Sequence, residues 1–100
     1  MSQFALIAGL GNPGPRYADN RHNIGFRAIE AVASAHGLGF SRTEHNAKTA
    51  HGLIEGRRVI LAQPQTWMND SGRSIGPLAR FYKIEPEDIL IIYADLDIPL

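Results

Sequence analysis

The run Phe4-Ala5-Leu6-Ile7-Ala8-Gly9-Leu10 constrains this chain more than any other segment. It is short, continuously apolar and closes on glycine. That is the pattern of a strand covered on both faces, as in a parallel sheet, so it predicts the first and central strand of such a sheet. The next stretch, Gly11 to Asn23, is rich in turn formers and hydrogen-bonding side chains and predicts a long loop at that strand's C-terminal end.

From Ile24 onward Ala28, Ile29, Val32 and Ala33 recur at helical spacing, with Asn20 or Asn23 placed to cap the start of an amphipathic helix and Gly37 its end. Thr49–Ile54 and Arg58–Ala62 are strand-like and flank Glu55-Gly56-Arg57, which predicts a hairpin, with Gly52 weakening its first arm. Asn69-Asp70-Ser71 offers cap residues ahead of Ile75, Leu78, Ala79 and Tyr82, while Pro77 kinks or delays that helix, so its first half is expected to be irregular. Glu85-Pro86-Glu87-Asp88 reads as a turn, and Ile89 to Tyr93 as a second strongly buried strand. Strands alternating with helices indicate the α/β class.

Composition narrows the function. The 100 residues are enough for one domain and one core, and no second domain fits. Ten basic and ten acidic side chains cancel, so any nucleic-acid contact is local rather than a coating charge. The absence of cysteine removes disulfides, thiolate nucleophiles and common structural zinc sites. No apolar run approaches the roughly 20 residues of a membrane span, and no signal peptide is visible, so a cytoplasmic location is expected.

Gly9-Leu10-Gly11-Asn12-Pro13-Gly14 matches the dinucleotide-binding pattern G-x-G-x-x-G. In that fingerprint, however, the third glycine opens the helix that holds the pyrophosphate, whereas here Pro15 and more loop come next, and Glu30 falls inside the helix instead of at a strand end. A nucleotide-binding module is therefore disfavoured, and a tight turn requiring positive φ is the plainer reading of these glycines. His36, His45 and His51 share no metal-ligand spacing, and no metal is expected. His22 lies in a polar loop where α/β proteins place ligands, although a lone loop histidine is also an ordinary solvated residue or cap. Trp67 comes after a strand beside amide side chains; it fits either a stacking platform or a partly buried core residue. Ser71 lacks a nucleophile elbow, and the acceptor pattern Asn69-Asp70-Ser71 lacks a secretory context, so a helix cap is the better reading.

Taken together, Gly9 to Gly14, Tyr17 through Arg21-His22-Asn23-Ile24-Gly25, Gln65-Thr66-Trp67-Met68-Asn69-Asp70-Ser71-Gly72 and Asp95-Leu96-Asp97-Ile98-Pro99 closely resemble the bacterial peptidyl-tRNA hydrolase family, over nearly the whole chain. The resemblance implies an α/β fold with a mixed, mostly parallel central sheet flanked by helices, of which residues 1–100 form the N-terminal half. It implies hydrolysis of the ester between a peptide, or another N-blocked aminoacyl group, and tRNA, recycling peptidyl-tRNA by a cytoplasmic monomer without metal or organic cofactor. By position, His22 matches the catalytic base, Asn12 the residue favouring N-blocked substrates, and Tyr17, Trp67 and Asn69 residues that bind the tRNA end. Trp67 stands where the family usually has Phe or Tyr. The chemistry agrees: activating water for ester hydrolysis calls for a base that titrates near neutrality, and Asn12 and Asn69 can donate to the carbonyl oxygen as charge develops on it.

Two departures carry expectations of their own. Where the family shows two acidic residues before Leu-Asp, this chain has Tyr93-Ala94-Asp95-Leu96-Asp97, so the carboxylate that would orient His22 is replaced by Ala94, and weakened activity is expected. Asp95 and Asp97 are possible supports, but Asp95, as an adjacent strand residue, points to the opposite face. The family's chains are also nearly twice as long, and their second half supplies a glycine-rich loop, more of the sheet and a basic surface for tRNA. A tRNA-end binding protein that has lost hydrolysis is the rival reading.

Overall fold

The computed structural model describes residues 2–11, 23–67 and 70–93. Within them the chain forms β1 (Ala5–Gly9), α1 (Ile24–Ala35), β2 (Arg42–Glu44), β3 (Ala47–Ile54), β4 (Arg57–Pro64), α2 (Gly72–Phe81), a 3-10 turn at Pro86–Asp88 and β5 (Ile89–Ile92). The strands make one sheet in the order β2-β3-β4-β1-β5. β1 runs parallel to β4 and to β5, while β3 is antiparallel to β2 and β4, so the sheet is mixed, as expected of the α/β class. Among the described residues parallel and antiparallel pairings are equal in number. β1 is interior, flanked on both sides, and β4 takes the middle of the order.

The two-residue period of the strands explains why both faces need a helix. Leu6, Ala8, Ile60, Ala62 and Ala47 gather with Leu78 and Ile84 against α2. The intervening residues Ala5, Ile7, Val59, Leu61 and Ala50 pack with Ile29 and Ala33 of α1. Thus α1 and α2 cover opposite faces, and β1 and β4 are buried on both, as the unbroken apolar run of β1 requires.

α1 ends as the sequence indicates. The N–H of Leu38 reaches the Ala33 carbonyl at 2.8 Å and that of Gly37 the Ser34 carbonyl at 3.2 Å, with Gly37 at φ 67°, which is a Schellman ending. Asn23 occupies the position before α1, but its side chain makes no cap hydrogen bond. Ser71 likewise precedes α2 without a side-chain cap, and its main-chain carbonyl instead accepts the N–H groups of Ser74 (3.0 Å) and Ile75 (2.9 Å). α2 runs through Pro77 rather than breaking there. Pro77 withholds one N–H, and the carbonyl so released belongs to exposed Arg73, where water can bond it.

Other expectations need correction. The second hairpin closes in two residues, not three: Ile54 pairs with Arg57, and Glu55 and Gly56 have φ of 54° and 78°, a type I′ turn. Gly52 does not break β3; the Leu38 side chain lies where a Cβ would stand, so the glycine makes room for packing. The strand β2, its type I′ turn at His45 and Asn46 (φ 51° and 62°) and the start of β3 at Ala47 were not legible. β5 is not strongly buried. It is the edge strand among the described residues, with Leu90 57% exposed.

A clasp closes the other end of the sheet. The Ser2 N–H donates to Asp88 at 2.7 Å, and the Glu85 N–H to Ser2 Oγ at 2.7 Å. Arg57 Nη1 donates to the Ser2 carbonyl at 2.8 Å and sits 3.5 Å from Asp88 through Nη2. The backbone hydrogen bond from Ser2 holds the Asp88 carboxyl below its ordinary range. Among the described residues no helix is long and apolar enough to cross a membrane.

Candidate functional site

β1 and β4 are parallel neighbours, and the helix after β1 lies on one face of the sheet while the helix after β4 lies on the other. Connections that leave in opposite directions open a crevice outside the carboxyl ends of the two strands, the place where open α/β sheets bind ligands. The segment that begins after Gly11 and the segment that carries Trp67 both start at this crevice.

Glycines let backbone approach backbone there. A Cβ on Gly25 would overlap the carbonyl oxygens of Leu10 and Ile92, and one on Gly9 would overlap the Gly25 carbonyl and stand 2.8 Å from Ile29 Cβ. The first turn of α1 is therefore pressed onto the ends of β1 and β5, where the Leu10 N–H bonds the Ile92 carbonyl at 2.9 Å. A Cβ on Gly11 would stand 2.8 Å from Asn23 Oδ1 and 2.9 Å from the Phe26 ring. Residues 11 and 23, which bracket the stretch containing His22, thus meet beside the end of β1. Neither Gly9 nor Gly11 has positive φ, so close approach rather than turn geometry is what requires glycine at these positions.

The segment after β4 is tied down from several sides. Buried Gln63 donates through Nε2 to the Phe26 carbonyl of α1 at 3.4 Å, and Gln65 Nε2 donates to the Gln63 carbonyl at 3.0 Å. The Gln65 N–H bonds the Asn46 carbonyl at 2.7 Å, and Ser74 Oγ donates to the His45 carbonyl at 2.8 Å. Trp67, between Gln65 and Ser74 in the chain, has half its surface exposed (50%), which favours a contact platform over a core residue, and its carbonyl accepts the Asp70 N–H at 2.8 Å.

Next to this segment, Glu44 accepts from Thr49 Oγ1 at 2.5 Å, lies 2.7 Å from His51 Nε2 and also accepts the Tyr82 hydroxyl. Burial alone would raise the Glu44 carboxyl, but the hydrogen bonds from Thr49, Tyr82 and His51 and the charge of His51 outweigh it and bring the pKa down to about 2. Burial and the same Glu44 contact raise the Tyr82 hydroxyl, which stays a donor.

Of the residues singled out in the sequence, Trp67 lies at the crevice. Asn12, Tyr17, His22, Asn69, Ala94, Asp95 and Asp97 fall outside the described residues. Sequence reasoning missed Glu44, Ser74 and the turn His45-Asn46. The signal that could have found the turn was Asn46 itself, since asparagine tolerates the left-handed region better than most residues. Among the described residues no three His, Asp or Glu side chains cluster as metal ligands.

The sequence profile of the family described as Peptidyl-tRNA hydrolase matches residues 6–100. Over 93 residues the chain is 53% identical to the peptidyl-tRNA hydrolase of Rhodospirillum rubrum, covering 93% of this chain and 38% of that protein. It is 53% identical over 95 residues to that of Chloroflexus aggregans, covering 94% and 50% respectively. A crystal structure of peptidyl-tRNA hydrolase from Acinetobacter baumannii superposes with a TM-score of 0.90 at 44% identity, over 98% of this chain and 50% of that one. The chain thus spans about half the length, or less, of these relatives.

Proposed function

Because this chain belongs to the peptidyl-tRNA hydrolase family, we propose that it acts on the ester linking a peptide, or an N-blocked aminoacyl group, to the terminal ribose of tRNA. The observation that carries this reading is the crevice between the carboxyl ends of β1 and β4. Half-exposed Trp67 follows the end of β4 by three residues, and residues 11 and 23, the neighbours of the His22 segment, meet beside the end of β1.

In this reading His22 takes a proton from water as the water oxygen attacks the ester carbonyl. Asn12 and Asn69 donate hydrogen bonds to the carbonyl oxygen, an effect that exceeds about 2 kcal/mol for a well-placed donor. When the tetrahedral intermediate collapses, the imidazolium returns the proton to the departing ribose oxygen. Trp67 supplies a face on which the terminal base stacks, with Tyr17 as a second contact. Ala94 leaves the imidazole without its orienting carboxylate, which lowers the rate but leaves the mechanism unchanged.

The test is release of N-acetyl-amino acid from N-acetyl-aminoacyl-tRNA by this chain and by His22→Ala. Release that falls by about 100-fold or more in the variant supports the assignment. Equal release from both sinks it, and tRNA binding without release by the unaltered chain supports the rival in which hydrolysis has been lost.

A further inference from the structure

We propose that the two-residue turn His45-Asn46 is the positioning element of the Trp67 segment, gripping it at both ends through the Gln65 amide and the Ser74 hydroxyl. This rests on the reading of Trp67 as a contact for the tRNA end and adds to it the question of what holds Trp67 in place.

The two successive carbonyls of the turn face the two ends of one segment. Asn46 accepts from Gln65, just after β4, and His45 accepts from Ser74, in the first turn of α2. Ser74 is fully buried. A buried helical serine commonly returns its hydroxyl to a carbonyl one turn back in its own helix; this one reaches across to another element instead. Trp67 lies between the two grips, and because its ring is half exposed, core packing supplies only part of its restraint.

The turn can serve as an anchor because it is itself held. Both of its residues occupy the left-handed region, which for histidine is an unfavourable conformation that its surroundings must maintain. The His45 ring packs on Phe81, with centroids 5.2 Å apart. Glu44, the residue before the turn, binds Thr49 and His51 of β3 and the Tyr82 hydroxyl just past α2. The hairpin is therefore fastened to α2 near its start, through Ser74, and at its end, through Tyr82. Gln65 continues the chain of contacts through Gln63 to the Phe26 carbonyl in α1, on the opposite face of the sheet. The two walls of the crevice share this one set of hydrogen bonds.

Trp67 is the only tryptophan, so its emission reports this segment directly. The experiment compares the chain with Ser74→Ala, Tyr82→Phe and, as a control weakening α1 on the far face, Ala33→Gly. Two quantities are read: steady-state anisotropy of Trp67, and affinity for a tRNA acceptor stem whose 3′ aminoacyl ester is replaced by an amide. Ser74→Ala and Tyr82→Phe are expected to lower the anisotropy toward that of the urea-unfolded chain and to weaken binding about fivefold, the equivalent of one neutral hydrogen bond. Ala33→Gly is expected to lower the melting temperature with anisotropy unchanged. Unchanged anisotropy in Ser74→Ala overturns the proposal, as does an equal fall in Ala33→Gly. If Ser74→Ala fails to fold, Tyr82→Phe decides by the same criterion. Lowered anisotropy with unchanged affinity leaves the positioning role standing and removes Trp67 from the substrate contact.

Discussion

Glu44→Gln measures how far the β2–β3 hairpin depends on one charge. The carboxylate gathers Thr49, His51 and Tyr82 and titrates at about 2 in the folded chain against an ordinary 4.5. At about 1.36 kcal/mol per pH unit, that difference bounds the contribution at about 3 kcal/mol, which solvent screening of this partly exposed carboxylate reduces to about 1–2 kcal/mol of folding stability. Because folding holds this carboxyl below its unfolded value, the unfolded chain takes up the proton first as the solution is acidified. The contribution is therefore complete above a pH of about 4.5 and is lost as pH falls toward about 2. Glutamine keeps one acceptor oxygen but no charge, so the variant is expected to be about 1–2 kcal/mol less stable near neutral pH and to lack this step of acid sensitivity.

The assay is urea unfolding monitored by far-ultraviolet circular dichroism at pH steps from about 7 down to about 2, on both proteins. Subtracting the two profiles removes other carboxyls, Asp88 among them, whose value is also lowered. The difference should be near its maximum above pH about 5 and shrink toward zero near pH about 2. A difference that stays constant across that range would show that the charge adds nothing beyond an uncharged acceptor, and the reasoning from three converging donors would be refuted.

Gly25→Ala places a methyl group against the Leu10 and Ile92 carbonyl oxygens and is expected to cost about 3 kcal/mol or more, read as a drop in melting temperature; an unchanged melting temperature contradicts the close approach. Ala94→Asp is expected to raise turnover of N-acetyl-aminoacyl-tRNA by about tenfold or more by supplying the partner that orients an imidazole base, and an unchanged rate contradicts the pairing with His22.

The parts of the fold that were legible in the sequence are those whose signal is local. The apolar run of β1, the helical spacing of α1 and the glycine at its end each depend on a few consecutive residues. β2 was not legible, because Arg42-Thr43-Glu44 is polar and three residues long; it is a strand only because β3 lies beside it and Glu44 finds donors on β3 and just past α2. β5 was overestimated for the converse reason. Ile89-Leu90-Ile91-Ile92 is as apolar as an interior strand, but among the described residues only β1 pairs with it, and apolar composition reports the capacity for burial rather than burial achieved. Trp67 stood out in the sequence as a lone aromatic between amides, and its exposure agrees with a surface position, whereas the His45-Asn46 turn acts through main-chain carbonyls, which carry no side-chain signature.

The glycines show why a motif needs its packing partner before it can be interpreted. Gly9 and Gly11 fit a phosphate-binding pattern and also fit a tight turn, and both interpretations look only along the chain. In the fold Gly9 is explained by Gly25 and Gly11 by Asn23 and Phe26, all at the start of a helix packed across the strand ends, where Gly25 itself leaves room for the Leu10 and Ile92 carbonyls. Removing side chains on both partners brings the start of α1 onto the ends of β1 and β5, and that places the residue after His22 against the residue before Asn12. The geometry bears on the proposed function: moving α1 outward by the width of one methyl group separates Asn23 from Gly11, the two described residues that flank the segment carrying His22. Catalytic groups tolerate misplacement of that order poorly, with about 100-fold lost for a shift of about 1 Å. The glycine pattern is therefore explained by the close approach of α1 to the strand ends, with no phosphate required.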